Sequence, residues 1–547
     1  MFNNRRLLIY FILAIIFAVA LFLRFYKLDK FPVGFHIDEA SLGYNGYSLL
    51  LTGRDENNHP HPLYIDTFGD NRPSGYHYLT VLPIKLLGLT EFATRLPGAL
   101  FGSLTIFAIY FLAMSIFGNR KLALLSSFFV AIAPWHIVLS RASAESIIAL
   151  FFIILGMGFI LYSVQNQKVA FLLSGTFLAS ASFFFYHTPR VFVPLLFLSL
   201  FFFLFSVWSR FKNSRYKTTL ICSFLFLSVL AVILVFFITG GTGRFGQVNI
   251  FGFPETRLVM AEQIREDGVF GTGTLITRLF HNKGTNYFLT FISNYFDYFS
   301  FDFLFIKGGL PIWYSVPKMG LVYLIEFPFI VSGIVLLAVN KKIMYKIPLI
   351  WLLVAPFTAA ITIDDIPNIN RAIVMFPMIE LIAAYGILSF INKIKRLRLL
   401  AIILISIFLL LNFSYFLHQY FVHAPIHRNW YRNEGFGEMV NALKKSYDRV
   451  DKIVVAKNGG MYPLILFYMR YDPRLYQKEG SLKDLEYMGF GKFFFVPQAC
   501  PSKDKDERFP RADKIIYVDK GECEDKGQYQ KIIYRKDKTR AFNVVYE

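Results

Sequence analysis

The chain has 547 residues, 55% hydrophobic and 18% aromatic, with 17% charged, a net charge of +20 and a mean hydropathy of +0.47. A soluble globular protein of this length carries more charge and shorter apolar runs, so that class is excluded. The basic excess does not indicate nucleic acid. Much of it lies in acid-free loops between apolar runs: "RR" (5–6), "GNRK" (118–121), "QNQK" (165–168), "SRFKNSRYK" (209–217), "NKKIMYK" (340–346) and "NKIKRLR" (392–398). That is the positive-inside signature of cytoplasmic loops.

The opening run, "MFNNRRLLIYFILAIIFAVALFLRFY", lacks a small-residue cleavage site and reads as a retained first helix. Apolar runs near 7–25, 95–117, 122–139, 145–163, 169–185, 191–208, 218–239, 321–339, 347–363, 372–390 and 399–417 are each long enough to cross a hydrocarbon core. The expected fold is therefore a polytopic α-helical membrane protein of about eleven spans. With the basic loops inside, the N-terminus is cytoplasmic and the C-terminus is not. Residues 1–420 form the transmembrane domain, with outer loops 26–94 and 240–320.

The first outer loop opens on "FHIDEA" (35–40), after Pro32 and Gly34 break the chain. "DEASLGYNGYSLL" then predicts a short amphipathic helix with Asp38 in its first turn, where peptide dipoles favour a carboxylate. Simple helix capping is the competing role for this "DE" pair. Further on, "NNHPHPLY" (57–64) reads as a loop shaped by its prolines. Asp38, Glu39, His59 and His61 are the residues able to ligate a divalent metal, and no metal is assigned. In "GDNRPSGYHYLTVLPIK" (69–85), Asp70, Arg72, Tyr76 and His77 are candidates for the entrance to a site, and 78–90 reads as an interfacial helix.

Three short outer turns follow. "SRASAES" (140–146) brings Arg141 and Glu145 to one helical face, so mutual pairing competes with function. "YHTPR" (186–190) brings His187 and Arg190, where snorkelling is the alternative. "DDIPNINR" (364–371) brings Asp364, Asp365 and Arg371. All the acidic pairs, most histidines and most arginines not used for topology thus gather on one side, implying a single extracytoplasmic working surface. Beyond about 430 the character changes. "KIVVA" (452–456), "KFFFVP" (492–497), "KIIYVD" (514–519) and "AFNVVYE" (541–547) read as strands, and "YPLILFYMRYD" (462–472) as a helix or buried strand. Residues 430–547 form a small extracytoplasmic α/β domain in this reading. Cys222 lies in an apolar run, while Cys500 and Cys523 are positioned to pair if the tail lies outside.

Carboxylates and arginines at a membrane rim suit transfer of a sugar from a polyprenyl phosphate to a hydroxyl. The departing phosphate needs cationic clamps, for which Arg141, His187, Arg190 and Arg371 are the candidates. The acceptor hydroxyl needs one general base, and Asp38 is the choice. In order, "HIDEA", "RLPGALFGSLTIFAIYFL", "APWHIVLSRASAES", "YHTPRVFVP", "FDFLFIKGGLPIWYSVPKMGLVYLIEFPFIVSGI" and "TIDDIPNINRA" resemble the C-fold glycosyltransferases, in particular the protein O-mannosyltransferase and aminoarabinose-transferase branch. The resemblance runs from about residue 5 to 420 and implies a polyprenyl-phosphate-linked donor, inversion at the anomeric carbon and an extracytoplasmic active site. It places the catalytic acid pair on Asp38 and Glu39, a second acidic position on Glu145, and donor-phosphate binding on Arg190 and Arg371. The 240–320 loop is too short for the β-trefoil of eukaryotic protein mannosyltransferases, and the tail is closer to bacterial members.

The acceptor stays open between a protein, a glycolipid and a glycan. The partners expected are the lipid-linked sugar, that acceptor and membrane lipid, with no nucleic acid. A transporter or flippase of a lipid-linked substrate is the rival from another class, disfavoured by apolar span centres. A ligase using diphosphate-linked oligosaccharide is the rival within the same topology.

Overall fold

The computed structural model describes residues 2–67, 70–205, 214–236, 249–252, 254–457, 461–479, 489–504, 512–524 and 527–547. The chain divides into two compact units. One comprises Met1–Arg24, Leu100–Ser140 and Ala144–Leu417, and the other Phe25–Ala99, Arg141–Ser143 and His418–Glu547.

The first unit is helical. Among the described residues, seven helices are long and apolar enough to span a membrane: Arg6–Phe25, Glu91–Phe117, Glu145–Asn166, Ser214–Leu234, Ile343–Ala360, Ile373–Lys393 and Arg398–His427. Arg120–Ile132 and Pro134–Arg141 are bent by 55° and make an eighth if counted as one span. Val169–Phe184, Pro189–Phe203 and Leu324–Val339 are shorter apolar helices. Together they occupy the eleven places read from the sequence, so the chain is a multi-pass membrane protein.

The bend has a local cause. Pro134 has no N–H to continue the ladder, which frees carbonyls of the preceding turn. Arg24 fills that gap. Its guanidinium donates to Ala131 O at 3.0 Å and Val130 O at 3.2 Å, and meets His136 Nδ1 at 2.6 Å. Two buried indole N–H groups of this unit are paired, Trp135 with Glu380 Oε1 (3.0 Å) and Trp351 with Val374 O (2.7 Å).

The second unit joins the first outer loop to the tail. Strands β1 (Tyr64–Thr67) and β2 (Asp70–Pro73) pair antiparallel. Strands β3 (Lys452–Ala456), β4 (Phe493–Val496), β5 (Ile515–Lys520), β6 (Lys531–Tyr534) and β7 (Arg540–Tyr546) form one sheet in the order β4-β3-β5-β7-β6. β3 runs parallel to β4 and β5, and β7 antiparallel to β5 and β6. The four expected strands are present, β6 is an addition, and Tyr462–Met469 is a helix.

Phe35, Tyr44 and Ile84 from the loop share one buried core with Met439, Ile453, Phe467 and Phe493 from the tail. The helix Ile37–Thr52 crosses the helix Gly75–Leu87 so closely that a Cβ on Gly46 would lie 2.0 Å from Thr80 Oγ1. Cys500 and Cys523 form a disulfide, and Cys222 is free.

Candidate active site

The acidic pair opens the helix Ile37–Thr52 in the second unit. His36 is its N-cap. The His36 ring accepts from Asp38 N at 3.2 Å, while the Glu39 carboxylate accepts from His36 N at 3.2 Å, closing a capping box. Gly53, at φ 68°, ends the helix with a bond from its N–H to Leu49 O. The first turn is thereby set by backbone chemistry before any tertiary contact is counted.

The two acids then diverge. Glu39 is 1% exposed and bonded by Arg95 Nε (2.8 Å), Ser143 Oγ (3.2 Å) and the Arg432 guanidinium. Asp38 keeps 20% of its side chain exposed and pairs with Arg72 Nη2 at 2.9 Å and His36 Nδ1 at 3.3 Å. Burial pushes both carboxyls up, but their neighbours outweigh it: the Arg72 guanidinium and the His36 ring hold Asp38, and the Arg95 and Arg432 guanidiniums hold Glu39, below the usual carboxylate range. Capping and ion pairing enclose Glu39, and of the two acids only Asp38 keeps part of its side chain exposed.

Arg72 lies on β2 beside Asp38 rather than apart from it. The side chain of Asp70 lies outside the described residues. Tyr76 is buried, its hydroxyl donating to Thr94 O at 3.0 Å and accepting from Gly98 N at 3.3 Å. His77 is buried too. Burial, and then the charge of Arg72, pushes its imidazole down to about 3, so it is neutral. Arg141 donates to Tyr26 O (2.8 Å), Phe31 O (3.1 Å) and Tyr420 Oη (3.1 Å), bracing the segment that leads into the acidic pair. His59 pairs with the buried Asp55 at 3.1 Å, and no group of three or more metal-ligating side chains occurs among the described residues.

The remaining sequence candidates belong to the first unit. Glu145 starts the helix Glu145–Asn166, and the next residue, Ser146, meets Asn370 Oδ1 at 2.7 Å. Arg190 is buried and donates to Phe183 O at 3.0 and 2.7 Å, with His187 Nδ1 at 3.2 Å from its Nη1. Arg371 donates to Thr362 Oγ1 at 2.8 Å and to Asp364, whose side chain is 44% exposed. Asn368 Oδ1 accepts from Arg371 N at 3.1 Å, holding the turn that carries it.

Arg95 and Arg432 were not singled out from the sequence. Arg95 lies inside "RLPGAL", where a residue quoted only as part of a motif conceals its partner 56 positions away. Arg432 lies in "HRNWYRNEGFG", where no local pattern points to a carboxylate 393 residues distant.

Residues 71–236 match the family model described as dolichyl-phosphate-mannose-protein mannosyltransferase. No curated protein matches the sequence. Among solved structures, ArnT from Cupriavidus metallidurans aligns in its apo state with a TM-score of 0.55 at 11% identity, over 97% of this chain and 97% of that one. The same protein bound to undecaprenyl phosphate aligns with a TM-score of 0.54 at 12% identity, with the same 97% coverage of each. The archaeal oligosaccharyltransferase AglB from Archaeoglobus fulgidus, in complex with an inhibitory peptide and a dolichol-phosphate, aligns with a TM-score of 0.49 at 14% identity. That alignment covers 85% of this chain and spans 64% of AglB. The chain thus shares the fold of ArnT along nearly its whole length, and its residues 71–236 match a mannosyltransferase family model.

Proposed function

We propose that the chain is a C-fold glycosyltransferase that moves a sugar from a polyprenyl-phosphate carrier to the hydroxyl of an extracytoplasmic protein, glycolipid or glycan, inverting the anomeric carbon, with Asp38 as general base. The observation that carries this reading is the split within the acidic pair. Glu39 is sealed among two guanidiniums, whereas Asp38 is ionised and reachable. A phosphate leaving group needs little acid help, so one carboxylate placed to take the acceptor proton is sufficient.

Arg72 beside the base adds a guanidinium whose charge suits a phosphate. Arg371, partnered by an exposed aspartate, and Arg190 with His187 are the phosphate-binding groups of this reading, and Glu145 is its second acid. Arg141 acts by bracing the loop. The lipid carrier is supported by the undecaprenyl phosphate bound to ArnT. The extracytoplasmic placement is supported by the disulfide Cys500–Cys523, since such bonds persist in oxidising compartments.

The test is transfer in proteoliposomes holding the full chain, with radiolabelled polyprenyl-phosphate sugars and a crude acceptor extract. Wild type should transfer label, and a folded Asp38→Asn should lose at least about a hundredfold. Equal rates in both would remove Asp38 as the base. Transfer only from diphosphate-linked donors would make the protein a ligase, and movement of intact donor across the bilayer without transfer would make it a flippase.

A further inference from the structure

Glu39 joins chain segments that are remote in sequence. Arg95 follows the loop, Ser143 lies between two spans, and Arg432 belongs to the tail, 393 residues from its carboxylate partner. The turn carrying Arg432 is fixed to the sheet of its own unit. Arg535 lies 4.2 Å over the Trp430 ring, and Lys536 N donates to Glu434 Oε2 at 2.9 Å. The main chain of Arg432 also packs on Gly34, where a Cβ would lie 2.3 Å from its carbonyl oxygen. Gly34, at φ 75°, stands two residues before the N-cap of the acidic helix. The tail therefore holds the first turn of that helix twice, through an ion pair at Glu39 and through backbone packing at Gly34.

We propose that Arg432 is a positioning residue of the active site, acting through Glu39 to orient Asp38, so that the tail is part of the catalytic apparatus. This rests on the reading of Asp38 as the base. Two guanidiniums on one buried carboxylate restrain it in direction as well as in place: Arg95 bridges both oxygens, and Arg432 adds a second cationic donor at Oε2. With Arg432 removed, Glu39 keeps Arg95 and Ser143, so the first turn loosens while the unit stays folded.

The experiment compares wild type, Arg432→Gln and Arg432→Lys as full chains in proteoliposomes, reading transfer kinetics and amide hydrogen exchange. For Arg432→Gln the expected result is a fall in kcat of at least about tenfold with KM for the lipid donor within about twofold. Exchange should rise at residues 36–41 while β3, β5 and β7 stay protected, and Arg432→Lys should recover part of both effects. Unchanged exchange at 36–41, an increase spread over the whole sheet, or wild-type kcat in Arg432→Gln would each overturn the proposal. If exchange rises locally but the wild type transfers no sugar from any donor, the positioning role stands and the assignment of the reaction falls.

Discussion

Replacing Arg72 by Gln removes the strongest cation from Asp38 and leaves burial opposed only by His36. The pair is 2.9 Å apart, with side chains 17% and 20% exposed. An opposite charge at such range shifts a carboxyl pKa by about 1–3 units, and partial exposure favours the lower end. At about 1.4 kcal/mol per unit, that is about 1.4–3 kcal/mol of differential stabilisation of the carboxylate. The sign follows from a folded-state pKa depressed below the ordinary 3.8. The stability contributed by the pair is present above the unfolded value and lost as pH falls through the folded one. With Asp38 as the base, the ionised form is the active one. Wild-type kcat/KM should therefore stay level to the acid edge of the folded range, while in Arg72→Gln an acid limb moves up by about one unit or more. The assay is a transfer profile in proteoliposomes from pH 3.5 to 8, with melting temperatures over the same range. Parallel profiles differing by a constant factor would refute Arg72 as the group that sets Asp38. A wild-type limb above pH 6 would refute Asp38 as the base.

Glu39→Gln leaves Arg95 and Arg432 buried without their carboxylate and should cost about 3–5 kcal/mol of stability, read by thermal unfolding in detergent. Glu56 is fully buried, accepts from Tyr462 Oη at 2.9 Å and is pushed up to about 8 by burial. Because that folded-state pKa is raised, its contribution is complete below the unfolded value and lost as pH climbs through about 8. Wild type should lose up to about 1.4 kcal/mol per pH unit across that window, and Glu56→Gln should flatten the loss in a series of melting curves. Replacing Cys500 and Cys523 by Ser opens a loop of 23 residues separation and should cost the tail about 3 kcal/mol, visible as earlier proteolysis of 490–547 under partial denaturation.

The span pattern was legible because lipid imposes a length and a polarity on every crossing, and each run carries that signal alone. The strands of the tail were legible for the same local reason, their alternation and β-branched content being written in five or six consecutive residues. β6 escaped because "KIIY" is short and lies among polar residues at the edge of the sheet. In the site, Asp38 could be found because Pro32, Gly34 and the following helix pattern mark the start of an element. The different fates of Asp38 and Glu39 could not, since they depend on Arg95, Ser143 and Arg432, none of which lies within fifty residues. Tyr76 and His77 look like polar entrance groups in sequence, yet both side chains are enclosed by the packing of their helix.

The discontinuous second unit also sets a timetable for biogenesis. Glu39 is synthesised early, but Arg432 follows 393 residues later, an interval of roughly 20–80 s at 5–20 residues per second. Through that interval the acidic helix lacks its second guanidinium and the tail's share of the common core, while the intervening apolar spans are being made. A chain whose translation stalls before the tail is made would be inserted in the membrane yet lack the clamp on its acidic helix. The shared core and the Glu39–Arg432 pair thus form only after the tail has been synthesised.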